Sequence, residues 1–357
     1  VTSRLATAAT PDAALALRLA EAVTAVDAPD VVLAVTHHGR RTTISGGHAL
    51  APAVPRHALR YELGSVSKTF TVLLLAALAR TGVLRLDDPL AAHLPDLPLR
   101  HPASRRITLR HLATHTAGLP RIPGDLIPSA LLRPYTDAYA TYDTERLLHT
   151  FARTRPHHRP GTRWHYSNFG VALLAPAMAR AAGADCRTLL ARHVLRPLGL
   201  GGTTLGPGDP ATTAVGHRRD GHTPVPGIGM GPFLAAGAVR STPADLLAYL
   251  EALLDARPKA HRGPGAAPLR RALSDVQIPQ LRHGPRHRET HTLTWFHHPA
   301  PRGPLLFHAG ATFGQQAFLG FHPASGTGVA ALATRRGDRC RLVETAYGLL
   351  HALATGR

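Results

Sequence analysis

Strand-like segments lie at both ends of this chain, and a long helical stretch separates them. Near the start, Val31–Val35 and Thr42–Ile44 are short runs with β-branched residues. His37-His38-Gly39-Arg40-Arg41 lies between them and reads as a hairpin. Near the end, Thr292–Phe296, Leu305–His308, Gln315–Phe321 and Gly328–Ala333 recur as short strands at regular spacing. Apolar positions at helical spacing mark Ala13–Val26, started by Pro11 and Asp12, and Arg341–Leu353 closes the chain as a helix. Between the two strand sets the spacing predicts helices over Ser65–Thr81, Leu109–Thr114, Thr144–Thr154, Asn168–Ala182 and Arg187–Leu195. Thr242–Ala256 follows as another, and Gly206–Gly231 and Arg257–Pro268 read as loops. The simplest solution is an α/β chain whose terminal segments share one sheet. Residues 1–62 and 235–357 then make a discontinuous α/β lobe, and 63–234 an inserted, mainly helical lobe, with any site at their junction. No internal repeat is visible.

Composition removes several alternatives. A hydrophobic share of 44% supplies a core and excludes wholesale disorder. No apolar run reaches the roughly 20 residues a membrane helix needs. The formal charge of +19 invites a nucleic-acid partner, yet of 41 basic residues all but Lys68 and Lys259 are arginine, and they are dispersed. Aromatics are only 5%, so the basic-plus-aromatic surface of a nucleic-acid binder is missing. Codon bias toward Arg, Ala, Gly and Pro accounts for the charge, which makes a retained lysine informative. Cys186 and Cys340 are too few and too far apart for a disulfide framework and read as small buried apolar residues. Val1–Pro11 carries no basic cluster leading into an apolar stretch, so the expectation is a cytoplasmic protein, or a secreted one if a signal preceded Val1.

The retained lysine falls in Gly64-Ser65-Val66-Ser67-Lys68. Ser65 and Lys68 are three residues apart, so on a helix they share one face. Ser65 would sit in the first turn, where unpaired N–H groups and the helix dipole favour developing negative charge. A serine hydroxyl is a weak nucleophile until a base takes its proton. Lysine can be that base when burial and neighbouring cations lower its pKa, whereas arginine cannot lose its proton. Lys259, in Arg257-Pro258-Lys259-Ala260-His261, reads as an ordinary loop residue.

With its companions, this motif resembles the serine β-lactamase and penicillin-binding-protein superfamily, in its class C-like branch of β-lactamases, D-alanyl-D-alanine carboxypeptidases, esterases and transacylases. Leu63–Phe70 and Leu86–Leu90 match the nucleophile helix and its following loop. Ile107–Leu119, containing Thr114-His115-Thr116-Ala117-Gly118, is similar to the Thr-His-Thr-Ser-Gly block, with Ala117 in place of serine. Pro160–Asn168 matches the Tyr-x-Asn motif with its Pro-Gly lead-in, and His308-Ala309-Gly310 falls where relatives carry Lys-Thr-Gly or His-x-Gly. Pro197–Leu200, Ala236–Asp245 and Gly314–Pro323 fit further blocks, so the resemblance runs from about Val32 to Leu350.

The resemblance implies a β-lactamase/transpeptidase-like fold, an antiparallel sheet flanked by terminal helices with the helical lobe inserted. It implies that Ser65, Lys68 and Tyr166 are catalytic, with Tyr166 relaying protons beside Lys68. The backbone N–H groups of Ser65 and Ala311 would hold an oxyanion, and Gly310 would let the strand approach the substrate. Asn168 would bond Lys68 and a substrate amide while also capping the helix that starts there. His308, mostly neutral near pH 7, replaces the permanent cation that a lactamase lysine presents to a carboxylate. The expected activity is acyl transfer through Ser65, from an ester, amide, D-Ala-type peptide or β-lactam to water. The alternatives are transfer to an amine or alcohol in natural-product biosynthesis, and a non-catalytic penicillin-binding relative. The implied partners are a small-molecule acyl donor and its acceptor, with no cofactor, nucleic acid or membrane. His287-x-x-x-His291, His157-His158 and His297-His298 lack metal-ligand spacing, and Gly227-Ile228-Gly229-Met230-Gly231 is a flexible loop rather than a dinucleotide fingerprint.

Overall fold

The computed structural model describes residues 11–50, 52–128, 135, 139, 141–256, 267–284 and 289–356. Along the chain the strands are β1 (Val31–His37), β2 (Arg40–Gly46), β3 (Tyr61–Glu62), β4 (Thr204–Leu205), β5 (Gly216–His217), β6 (Pro224–Val225) and β7 (Val239–Ser241). After them come β8 (Leu281–His283), β9 (Glu289–His291), β10 (Phe296–His298), β11 (Leu305–Ala311), β12 (Gln316–His322) and β13 (Thr327–Ala333). Eight form one antiparallel sheet in the order β2-β1-β13-β12-β11-β10-β9-β8. β1 pairs directly with β13, from Val31 opposite Ala333 to His37 opposite Thr327, so the two ends of the chain meet in mid-sheet. His38 and Gly39, both at positive φ, make the tight β1–β2 turn.

Alternation along the strands decides what covers each face. Val31, Leu33, Val35, Phe318, Val329 and Ala331 are buried with Leu19 and Val23 of the helix Pro11–Thr24 and Leu342, Ala346 and Leu350 of the helix Leu342–Thr355. Their alternates Val32, Ala34, Leu319, Phe321, Ala330 and Leu332 join a second cluster with the helix Pro243–Leu254 and the helical region. Each fully buried large side chain contributes about 1.5–3 kcal/mol by leaving water, so slipping one strand by a residue would lose its whole set.

At the centre of the helical region is Ser67–Arg80, whose first twelve residues, Ser67–Leu78, are all buried. Its polar residues find partners: Thr71 Oγ1 donates to Ala235 O at 2.7 Å, and Ser67 Oγ accepts from Val239 N at 2.9 Å. The helix that carries Lys68 is therefore surrounded by protein. No described helix is long and apolar enough to cross a membrane.

Several expectations are corrected. Thr292–Phe296 is not one strand: Thr292 Oγ1 accepts from Trp295 N at 2.9 Å and closes a turn between β9 and β10. Asn168–Ala182 is two helices, Asn168–Ala172 and Leu174–Ala182, because Pro176 has no N–H for the Ala172 carbonyl. Ser65–Thr81 opens with a 3₁₀ turn, Gly64–Val66, before the α-helix begins at Ser67. Arg187–Leu195 is an α-turn, Cys186–Leu190, followed by a wider π-turn, Ala191–Leu195. Gly206–Gly231 is not all loop, since β5 and β6 pair within it. Of the expected Arg257–Pro268 loop, 257–266 lie outside the described residues, and the rest begins an unforeseen helix, Ala267–Asp275, packed beside Ser67–Arg80. Cys186 and Cys340 are both buried and free.

Candidate active site

Ser65 is half-buried in the 3₁₀ turn that leads into Ser67–Arg80. One turn on, the fully buried Lys68 donates from Nζ to Ser65 Oγ at 3.1 Å and to Ala236 O at 2.7 Å. Burial pushes Lys68 below the ordinary lysine range, because the ammonium has lost its water. Charge and hydrogen bonding from Tyr166 pull the other way, and the Arg121 cation pushes it further down. Lys68 Nζ is 5.1 Å from the centroid of the Tyr166 ring, and Arg121 Cζ lies 5.6 Å from the same centroid.

Ala311 reaches this group through the ladder of β11. Thr312 N–H donates to Gln315 O, so Thr312 faces β12, and alternation turns the Ala311 N–H to the opposite edge. β10 pairs only with residues 305–307, which leaves the 308–311 edge open to the Leu63–Val66 turn. Backbone packs on backbone there. A Cβ on Gly310 would lie 2.0 Å from Leu63 O and 2.9 Å from Ser65 N. One on Gly64, at φ +51°, would lie 2.5 Å from Ala311 O. Both glycines are required for Ser65 and Ala311 to come this close.

His308 lies on the same face of β11 as Gly310 and is buried. Its Nδ1–H donates to Ala309 O at 2.8 Å, and burial, then the Lys68 charge, pull its pKa down to about 3. It is a neutral imidazole at any physiological pH. Asn168 departs from expectation. Ser167 is the cap, its Oγ accepting from Gly170 N at 2.8 Å, which makes Asn168 the first helical residue. Lys68 bonds the Ala236 carbonyl rather than Asn168, whose Oδ1 is buried without a partner among the described residues.

Three contributors lay outside the sequence reading: Arg121 as the cation near Lys68, the Ala236 carbonyl, and His115 against Tyr166 at 4.4 Å between ring centroids. His115 lies inside the Thr114–Gly118 block and Arg121 just after it; the block's position was visible although their roles were not. Around them Trp164 stacks on His283 at 4.2 Å and approaches His291 at 6.0 Å. His287 lies outside the described residues, and among those described no three His, Cys, Asp or Glu side chains are arranged to hold a metal ion.

A family model described as Beta-lactamase matches residues 17–353. "Putative beta-lactamase-like 1" of Homo sapiens is 31% identical over 248 residues, 67% of this chain and 47% of that protein. "D-alanyl-D-alanine-carboxypeptidase/endopeptidase AmpH" of Escherichia coli (strain K12) is 30% identical over 196 residues, 54% of this chain and 48% of that protein. The chain thus spans about half the length of these two curated relatives. A class C beta lactamase from Rhodobacter sphaeroides superposes with a TM-score of 0.75 at 25% identity, covering 94% of this chain and 98% of that one. The antiparallel sheet, terminal helices and central buried helix are thus a class C β-lactamase fold.

Proposed function

Because the chain belongs to the Beta-lactamase family, we propose that it is a serine acyl-enzyme hydrolase with Ser65 as nucleophile. The observation that carries this reading is the 3.1 Å contact between Ser65 Oγ and the Nζ of a fully buried lysine. A neutral Lys68 has two N–H groups and one lone pair. One N–H stays on Ala236 O, and the lone pair takes the Ser65 proton as Oγ bonds to the substrate carbonyl carbon. The N–H groups of Ser65 and Ala311 hold the resulting oxyanion. As the tetrahedral intermediate collapses, the bond to the leaving group breaks and that group takes the proton from Lys68, through Tyr166 beside it. Water then attacks the acyl-enzyme, gives its proton to the same base, and releases the acid with Ser65 restored. Transfer to an amine or alcohol would use the same acyl-enzyme and differ only in the acceptor.

His308 bears on the substrate. A neutral imidazole offers no charge to a carboxylate at neutral pH, which supports an ester or amide lacking one over a β-lactam. The test combines labelling with turnover. A fluorophosphonate probe should add once to the protein, at Ser65, and not to Ser65→Ala; no adduct on folded protein overturns the acyl-enzyme reading. p-Nitrophenyl acetate should turn over faster than a penicillin, and adding amines shows whether aminolysis competes with hydrolysis.

The paired glycines give a second expectation. Gly310→Ala places a Cβ against Leu63 O and Ser65 N and forces β11 away from the nucleophile turn. One misplaced oxyanion donor costs about 10²–10³ in turnover. kcat for p-nitrophenyl acetate should fall by about that factor, and an unchanged kcat would place the oxyanion elsewhere.

A further inference from the structure

We propose that His115 is a positioning residue that holds the Tyr166 hydroxyl at Lys68 by clamping the backbone on both sides of Tyr166. The inference rests on the reading of Ser65, Lys68 and Tyr166 given above.

Three contacts converge on the segment 165–167. The His115 carbonyl accepts from His165 N at 2.8 Å. The His115 ring Nδ1 accepts from Ser167 N at 3.2 Å. Between these two anchors the imidazole packs on the Tyr166 ring, with centroids 4.4 Å apart. One residue thus fixes the backbone before Tyr166, the backbone after it and the ring itself. The Ser167 bond also decides the tautomer: a nitrogen that accepts from N–H carries no proton, so the proton resides on Nε2. Burial above all holds the His115 pKa well below the usual histidine range, so the acceptor is present throughout the neutral range.

The backbone at His115 is itself specialised. It is buried and left-handed, at φ +59°, a conformation non-glycine residues seldom adopt and asparagine tolerates best. That turn lets one residue direct its carbonyl to His165 and its ring nitrogen to Ser167. Thr116, the next residue, extends the grip, its carbonyl accepting from Gly161 N at 2.8 Å.

Asparagine and glutamine separate positioning from general packing. His115→Asn keeps the left-handed turn and sets an amide oxygen near the place of Nδ1, whereas His115→Gln sets one near Nε2. His115→Asn should keep kcat for p-nitrophenyl acetate within about threefold of the parent. His115→Gln should lose about 10²-fold in kcat with KM little changed. In a Tyr166→Phe background His115→Gln should cost less than threefold more, because the two residues act through one hydroxyl. Equal losses in the Asn and Gln variants, or fully additive losses in the Tyr166→Phe background, overturn the proposal. If Gln does not fold, the Asn variant decides alone, and a loss above tenfold in a folded Asn variant is against it. If the parent protein takes no fluorophosphonate at Ser65, the acyl-enzyme reading fails instead, so the two failures are distinct.

Discussion

Lys68→Arg and Lys68→Met should each lose acylation of Ser65 by about 10³-fold, read as the rate of fluorophosphonate labelling, with near-UV circular dichroism and Tm reporting the fold. The magnitude follows from what a positioned general base supplies, typically 10²–10⁴-fold. Lys68 can serve only because it can lose a proton, and burial, reinforced by Arg121, moves it in that direction. Arginine keeps the charge and cannot lose the proton, while methionine keeps much of the shape and has no proton acceptor of use. The pair separates charge from basicity: if Arg were tolerated and Met not, the cation rather than the base would matter. Labelling at the parent rate in both folded variants would remove Lys68 from the mechanism.

Acid should unfold the protein well before its carboxylates alone would require it. His291 and His308 are both buried and neutral, each with a pKa pulled down to about 3, and His115 is shifted the same way. For a base whose folded pKa is depressed, the unfolded chain binds the proton first. Stability is therefore complete above the unfolded value of 6.5 and falls as pH drops from there toward about 3. At about pH 4.5, some two pH units into that window, each of the two costs roughly 3 kcal/mol. Together that is comparable with the whole stability of a typical domain, about 5–15 kcal/mol. Urea denaturation at neutral pH and near pH 4.5 should show the loss. His291→Gln, which cannot charge, should recover a large part of it at the lower pH and little at the higher. A stability that is flat between the two, or an identical acid midpoint in His291→Gln, would show that these rings are solvated.

How much of this was legible depended on how local each interaction is. Ser65 and Lys68 share one helical turn, so their spacing alone places them together, and the 3.1 Å contact needs nothing from elsewhere in the chain. The second partner of Lys68, the Ala236 carbonyl, comes from 168 residues away and is a backbone atom with no side-chain signature. Arg121 was one of 41 basic residues, and only tertiary packing sets it over Tyr166. The sheet was readable because Val31–Val35 and Gly328–Ala333 are buried on both faces and form short apolar runs bounded by turn signals. Thr292–Phe296 misled because a β-branched, aromatic run looks like a strand until the Thr292 hydroxyl turns it. The helix break before Pro176 was written in the sequence, but the long apolar period masked it. At Asn168 two capping residues stood side by side, and only the bond to Gly170 N distinguishes Ser167 as the cap.

The direct pairing of β1 with β13 has a consequence for how the molecule comes into being. Partners such as Val31 and Ala333 are some 300 residues apart, so closing the middle of the sheet carries the entropy of a very long loop and is slow. As the ribosome extends the chain, Ser65 and Lys68 emerge about 240 residues before the strand that brings Ala311 against them. Over that interval the proposed nucleophile has no β11 amide opposite it, so on the acyl-enzyme reading reactivity waits until β11 has paired.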